Sequence, residues 1–199
     1  MPNASPRAGY EGFQISERDA EVIQFLEQES LAAFTFEGLR RRLGTHSETL
    51  SRTLHRLEEQ SVLERADDGY HVTDKGKELM SLRPISVAHH RVPILRTLLP
   101  RGEYPREVIS GLKGRWFGPL RWLGYSEEEG GTTMKWVTED GAVQIDAIFS
   151  DGELAIEGNV REGKDLAEAI KASYQLVGYL SRIHPTQAGG KVAFFSMHN

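Results

Sequence analysis

Apolar residues recur along the first third of the chain at helical spacing. Ile15, Val22, Ile23 and Leu26 form a stripe behind Ser16, which predicts a helix over residues 17–29. Thr35 is placed to cap a second helix through Phe36, Leu39 and Leu43, with Gly44 to stop it in the left-handed conformation. After a sharp turn, Ser47 can cap a third helix over 47–60, where Leu50, Leu54 and Leu57 make one buried stripe. The pattern then changes to short β-prone runs at 62–65 and 70–72 around Asp68-Gly69, a pair suited to a hairpin turn. Thr73 restarts a helix that ends at Arg83-Pro84, and residues 89–99 read as a connecting helix broken at Pro93 and closed by Pro100.

Beyond the connector the periodicity becomes that of a sheet. A helix over 105–117, opened by proline, precedes alternating runs at 120–126, 132–137, 142–149 and 153–160. Gly130-Gly131, Asp140-Gly141 and Asp151-Gly152 separate them, which predicts a four-stranded antiparallel meander. Val143, Ile145, Ala147 and Phe149 share one face, with Gln144 and Asp146 pointing away from it. Leu166, Ala169, Ile170, Ser173, Val177 and Leu180 mark a helix over 164–183 long enough to cover the sheet, and 192–197 reads as a last strand.

The order helix, helix, turn, basic helix, hairpin, capped helix resembles the winged helix-turn-helix transcription regulators of the MarR, ArsR and PadR type. Carrying the resemblance are Leu39-Arg40-Arg41-Arg42-Leu43-Gly44, the helix from Ser47 with its Leu57-Glu58-Glu59 end, Val62-Leu63-Glu64-Arg65 and Tyr70-His71-Val72-Thr73-Asp74-Lys75-Gly76. It covers the first 80 residues or so, and it implies that the helix over 47–60 enters the major groove of duplex DNA. The expected fold is therefore α+β: a flexible tail over 1–12, a winged helix-turn-helix domain over 13–82, a connector over 83–104, and over 105–199 an α+β dimerisation or sensing domain with an antiparallel sheet packed against a long helix.

Charge complicates this picture. The net charge of −5 is unusual for a DNA binder, and neither half is basic: residues 1–87 hold 11 basic and 15 acidic side chains. Between residues 36 and 56, however, Arg40, Arg41, Arg42, Arg52 and Arg56 face only Glu37 and Glu48, a local balance of +3. Such a modest focus predicts weak non-specific binding that depends on salt. Asp67 and Asp68 make the hairpin tip acidic, which argues against its insertion beside phosphates.

The candidate DNA contacts are Arg41, Thr45, His46, Ser47, Thr49, Ser51, Arg52, His55 and Arg56. For the arginines of the third helix the competing reading is a solvated face paired with Glu48 and Glu59; for Thr45, His46 and Ser47 it is simple capping. All three tryptophans fall between 116 and 136, so Trp116, Phe117, Trp122, Tyr125 and Trp136 are either the core of a small sheet or a ligand pocket or dimer contact.

The remaining chemistry is sparse. With no cysteine, disulfides, thiolate zinc sites and thiol catalysis are excluded. His89-His90 lacks an aligned third ligand, Asp140 and Asp151 belong to turns, and no catalytic triad or phosphate loop is present, so no metal, cofactor or enzymatic activity is expected. The polar start of the chain lacks the apolar core of a signal peptide, and no long apolar run occurs, which predicts a soluble, cytoplasmic protein away from membranes. Together these features predict a sequence-specific transcription regulator that binds double-stranded DNA as a homodimer and has room for a small-molecule effector. The alternative is a winged-helix adaptor or scaffold that binds protein partners.

Overall fold

A computed structural model describes residues 15–81, 91–98, 104–150, 152–161 and 166–183. In chain order its elements are α1 (Glu17–Gln28), β1 (Ala33–Phe34), α2 (Phe36–Leu43), α3 (Ser47–Glu59), β2 (Leu63–Ala66), β3 (Gly69–Val72), α4 (Asp74–Ser81), β4 (Arg91–Leu98), α5 (Tyr104–Leu112), β5 (Leu120–Glu128), β6 (Gly131–Thr138), β7 (Val143–Ser150), β8 (Glu153–Val160) and α6 (Leu166–Ile183). The protein is α+β, and among the described residues eight strands form one antiparallel sheet in the order β2-β3-β1-β5-β6-β7-β8-β4.

The helix signals operate locally. Ser16 and Asp19 close a reciprocal capping box at the start of α1. Thr35 caps α2 through the amide of Gly38, and Gly44 ends it with φ of 65°, a conformation that glycine adopts without steric penalty. At α3 the expectation needs correction: Ser47 is the first helical residue, and His46 occupies the cap position without a side-chain hydrogen bond. Thr73 accepts from the Gly76 amide at 3.0 Å, as a cap for α4 should.

Two groups of buried apolar residues result. One joins Val22, Ile23 and Leu26 of α1 to Leu39, Leu50, Leu54, Leu57, Val62 and Val72. The other packs the Val143, Ile145 and Ala147 face of the meander, with Trp136 and Ile156, beneath α5 and α6. The meander β5-β6-β7-β8 turns at Gly130-Gly131 and Asp140-Gly141 as expected, and β8 has the bounds its alternation predicts.

The segment read as a connecting helix is instead partly strand. Arg91 to Leu98 pair with β8 at the edge of the sheet, with a register shift between Pro93 and Leu95. Pro93 breaks a helix but is tolerated on an edge strand, where its missing N–H is not needed and a bulge absorbs the irregularity. The tail over 1–12, the strand read at 192–197 and His89-His90 lie outside the described residues.

The largest departure is the joint between the halves. β1 is only two residues long, yet Ala33 and Phe34 pair with His71 and Tyr70 on one side and with Tyr125 and Gly124 on the other. A bulge at Leu123 of β5 receives Thr35, whose amide donates to the Leu123 carbonyl at 2.8 Å and whose hydroxyl donates to the Trp122 carbonyl at 3.1 Å. The β2–β3 hairpin and the meander therefore belong to one hydrogen-bonded sheet. Gly124 permits this approach, because a Cβ there would collide with the Ala33 carbonyl oxygen and lie 2.8 Å from the Phe34 Cα. Gly124→Ala is expected to lower stability by about 1 to 3 kcal/mol, the usual range for overpacking, measured by urea denaturation. An unchanged midpoint would mean that the β1–β5 joint is not part of the folded core.

Candidate nucleic-acid interface

The outward face of α3 follows from its leucine stripe. With Leu50, Leu54 and Leu57 fully buried, Ser47, Glu48, Thr49, Ser51, Arg52 and His55 are left exposed on one side. His46 is exposed at the helix start and Thr45 is half-buried beside it, at a groove they share with Arg18 and Thr49. This surface offers hydroxyls, a guanidinium and the His55 imidazole, which lies 3.6 Å from Glu59, and α1 borders it at the helix start.

The arginines differ in how far they are committed elsewhere. Arg52 pairs with Glu48 at 2.5 Å, but both side chains are about 70% exposed (72% and 70%), and an exposed i,i+4 pair contributes only about 0.3 to 0.5 kcal/mol. Its guanidinium can exchange that partner for another anion. Arg56 is fixed. It reaches Asp19 at 2.5 Å, and Thr53 at 3.1 Å. Asp19 itself is fully buried and also accepts from the amide and hydroxyl of Ser16, at 2.9 and 2.6 Å. Burial pushes the Asp19 carboxyl up, but the hydrogen bonds from Arg56 and Ser16 outweigh it and hold it below its ordinary value.

The triple-arginine run is likewise engaged. Arg40 binds Glu37 at 3.0 Å. Arg41, whose side chain is only 11% exposed, binds Glu139 at 3.0 Å. Arg42 donates to Gln144 at 2.9 Å and to the Gly141 carbonyl. Two charges of the +3 balance expected from the sequence are thus paired with distant carboxylates, Arg41 with Glu139 and Arg56 with Asp19, while Arg41 and Arg42 hold α2 against the β6–β7 segment. At the hairpin tip, the His71 ring lies 2.7 Å from Asp68 and lowers that carboxyl, and Asp67 is exposed.

Behind this surface lies a charge cluster that the sequence does not reveal. Gln144 and Asp146 do point away from the apolar face of the meander, but they are buried rather than solvated. They meet Lys135 of β6, which is 1% exposed and donates to Asp146 at 3.0 Å and to Glu29 at 3.1 Å. Glu29, at the end of α1, also accepts from Gln144 at 2.8 Å and from Arg91 of β4 at 3.1 Å. Burial raises the Glu29 carboxyl, and Lys135, Gln144 and Arg91 together overcome it, so its pKa falls below the ordinary value. The one available signal was the placement of Lys135 and Asp146 within otherwise well-patterned strands, since an unsatisfied charge in a sheet needs a partner.

The aromatic candidates divide. Phe117 and Trp136 are core residues in edge-to-face contact at 5.5 Å, and Trp136 donates to the Arg115 carbonyl. Trp122 and Tyr125 are almost buried, and with Trp116 they line a groove of about 290 Å³ that also touches Lys113, Arg41 and Asp68. Trp116 is 64% exposed. Among the described residues, no cluster of histidine and carboxylate has the geometry to hold a metal ion, and no helix is long and apolar enough to cross a membrane.

Two tests follow. Arg56→Ala should lower folding stability by about 1 to 3 kcal/mol, because Asp19 stays buried without its guanidinium; a variant as stable as the parent would show that the pair contributes nothing. Both Asp19 and Glu29 have depressed folded pKa values, so their contribution is complete above the unfolded carboxylate range and is lost as pH falls through it. The urea midpoint should therefore drop steeply from about pH 4.5 downward, and less steeply in Asp19→Asn. Identical profiles for parent and variant would contradict this.

Compared with known proteins, the chain matches no protein-family model and shows significant similarity to no curated sequence.

Proposed function

We propose that the protein is a sequence-specific DNA-binding transcription regulator in which α1, α2, α3 and the β2–β3 hairpin act as a winged helix-turn-helix unit and α3 reads the major groove. The observation that carries this reading is the exposed face of α3, where Thr49, Ser51, Arg52 and His55 are open to solvent while the opposite leucine stripe is fully buried. Hydroxyls, imidazole and guanidinium are the groups that meet base edges and phosphates. Thr45, His46 and Ser47 at the helix start are the proposed phosphate contacts. Arg41 and Arg56 serve mainly to hold this surface in place.

The protein works as a homodimer. One module of this kind buries only about 600 to 1,000 Å² on DNA, and pairing two copies doubles the contact and lets a two-fold protein read a pseudo-palindrome. The C-terminal sheet and its helices supply the pairing or effector-sensing part, and the groove beside Trp116, Trp122 and Tyr125 is the candidate effector site.

A second reading, an adaptor that binds a protein partner, is favoured by one observation. All five arginines between Phe36 and Arg56 already contact protein acceptors, and the hairpin tip carries Asp67 and Asp68. Arg52→Ala separates the two readings. It should cost about 1 to 3 kcal/mol in affinity for a selected operator duplex, with thermal melting unchanged. Equal affinity in parent and variant would remove α3 from DNA readout. Light scattering on the full chain should give twice the 22.3 kDa chain mass, and a monomer would refute the dimer.

A further inference from the structure

Among the described residues, several cations outside α2 and α3 make no ion pair. The segment Lys113-Gly114-Arg115-Trp116-Phe117-Gly118 joins α5 to β5, and its Lys113, Arg115 and Trp116 side chains are exposed. Among the described residues neither Lys113, Arg115 nor Arg182 makes an ion pair. The Lys113 ammonium sits over the Tyr125 ring at 3.8 Å, the Arg115 guanidinium over the Tyr179 ring at 5.3 Å, and Arg115 and Arg182 otherwise donate to the carbonyls of Gly111 and Gly178. This is the reverse of α2 and α3, where each arginine has found a protein acceptor.

Trp116 is the wall shared by two grooves. On one side is the groove of about 290 Å³, which Lys113 lines together with Arg41, Glu37 and Asp68. On the other is a groove of about 260 Å³ lined by Arg115, Gln175, Tyr179 and Arg182, with no carboxylate in its lining. Arg121 stacks on the tryptophan at 4.6 Å and supports the ring in its exposed position. Among the described residues Trp116 is more exposed than any other large aromatic side chain, so its ring is open to a stacking partner.

We propose that this surface binds a single-stranded nucleic-acid segment. One unstacked base lies on Trp116, and the flanking phosphates meet Lys113 in one groove and Arg115 with Arg182 in the other. Stacking on an open ring accepts any base and requires it to be out of a duplex, and guanidinium groups without carboxylate partners are suited to phosphate oxygens. Cations in both grooves flanking Trp116 favour a strand over a single nucleotide, which would use one side only. The proposal is independent of duplex reading by α3.

Binding of a fluorescein-labelled oligothymidylate to the full chain, read by anisotropy and by tryptophan quenching, tests it. Trp116→Ala should weaken binding about tenfold and Trp116→Phe much less. Arg115→Ala with Arg182→Ala should lower the slope of log affinity against log salt by about 1.4, the release expected for two single-strand phosphates. Arg52→Ala should leave this binding unchanged while affecting duplex binding, which keeps the two readings distinguishable. Thermal melting identifies any variant that fails to fold, and Trp116→Phe then carries the comparison. Parent-like affinity in Trp116→Ala, no binding at low salt, or a thymidine mononucleotide bound as tightly as the oligonucleotide would each overturn the proposal.

Discussion

A lysine ammonium at 1% exposure must have carboxylates within reach, and satisfying Lys135 organises much of this protein. Its two acceptors come from different parts of the chain: Asp146 from the neighbouring strand β7 and Glu29 from the end of α1. Arg91 adds the edge strand β4, and Gln144 links the carboxylates to Arg42 of α2. Removing any one partner would leave a charge or a carboxamide unsatisfied where water has little access. The cluster therefore specifies how the N-terminal helices dock on the sheet more than it adds to stability, since a buried ionic network roughly breaks even against an apolar one of the same shape.

Helix α1 transmits that constraint. Near its first turn Asp19 holds Arg56 of α3, and at its end Glu29 holds Lys135 of β6. Their offset of ten positions spans roughly 15 Å of helix. With β1 hydrogen-bonded to both β3 and β5, the exposed face of α3, the hairpin and the meander are held by two separate connections, one ionic and one through backbone pairing. Such a body suits a protein that presents a preformed surface to a partner. In the proposed dimer, the spacing of two α3 helices would be set by the sheet rather than by a flexible linker.

Local features of the sequence were more legible than long-range ones. The apolar stripes led to α1, α2 and α3, Gly44 marked the stop of α2, and the Asp140-Gly141 and Gly130-Gly131 turns marked the meander. These signals act over a few residues, where propensity and spacing decide the outcome. β1 escaped because two residues have no periodicity, and β4 because Pro93 reads as a helix break although an edge strand tolerates it. For the candidate site, the exposed set on α3 was legible from the stripe opposite it. The engagement of Arg41 by Glu139, of Arg42 by Gln144 and of Arg56 by Asp19 was not, because those partners lie 98, 102 and 37 residues away in the chain. Net charge over a segment counts cations without showing which are already paired.

Selection from a pool of random duplexes tests the proposed reading of base sequence by α3 with no target chosen in advance. After several rounds with the full chain at moderate salt, a short motif should be enriched, arranged as two inverted half-sites about one helical turn apart or a multiple of it. A pool that remains random, with binding that only tracks ionic strength, would contradict sequence reading by α3.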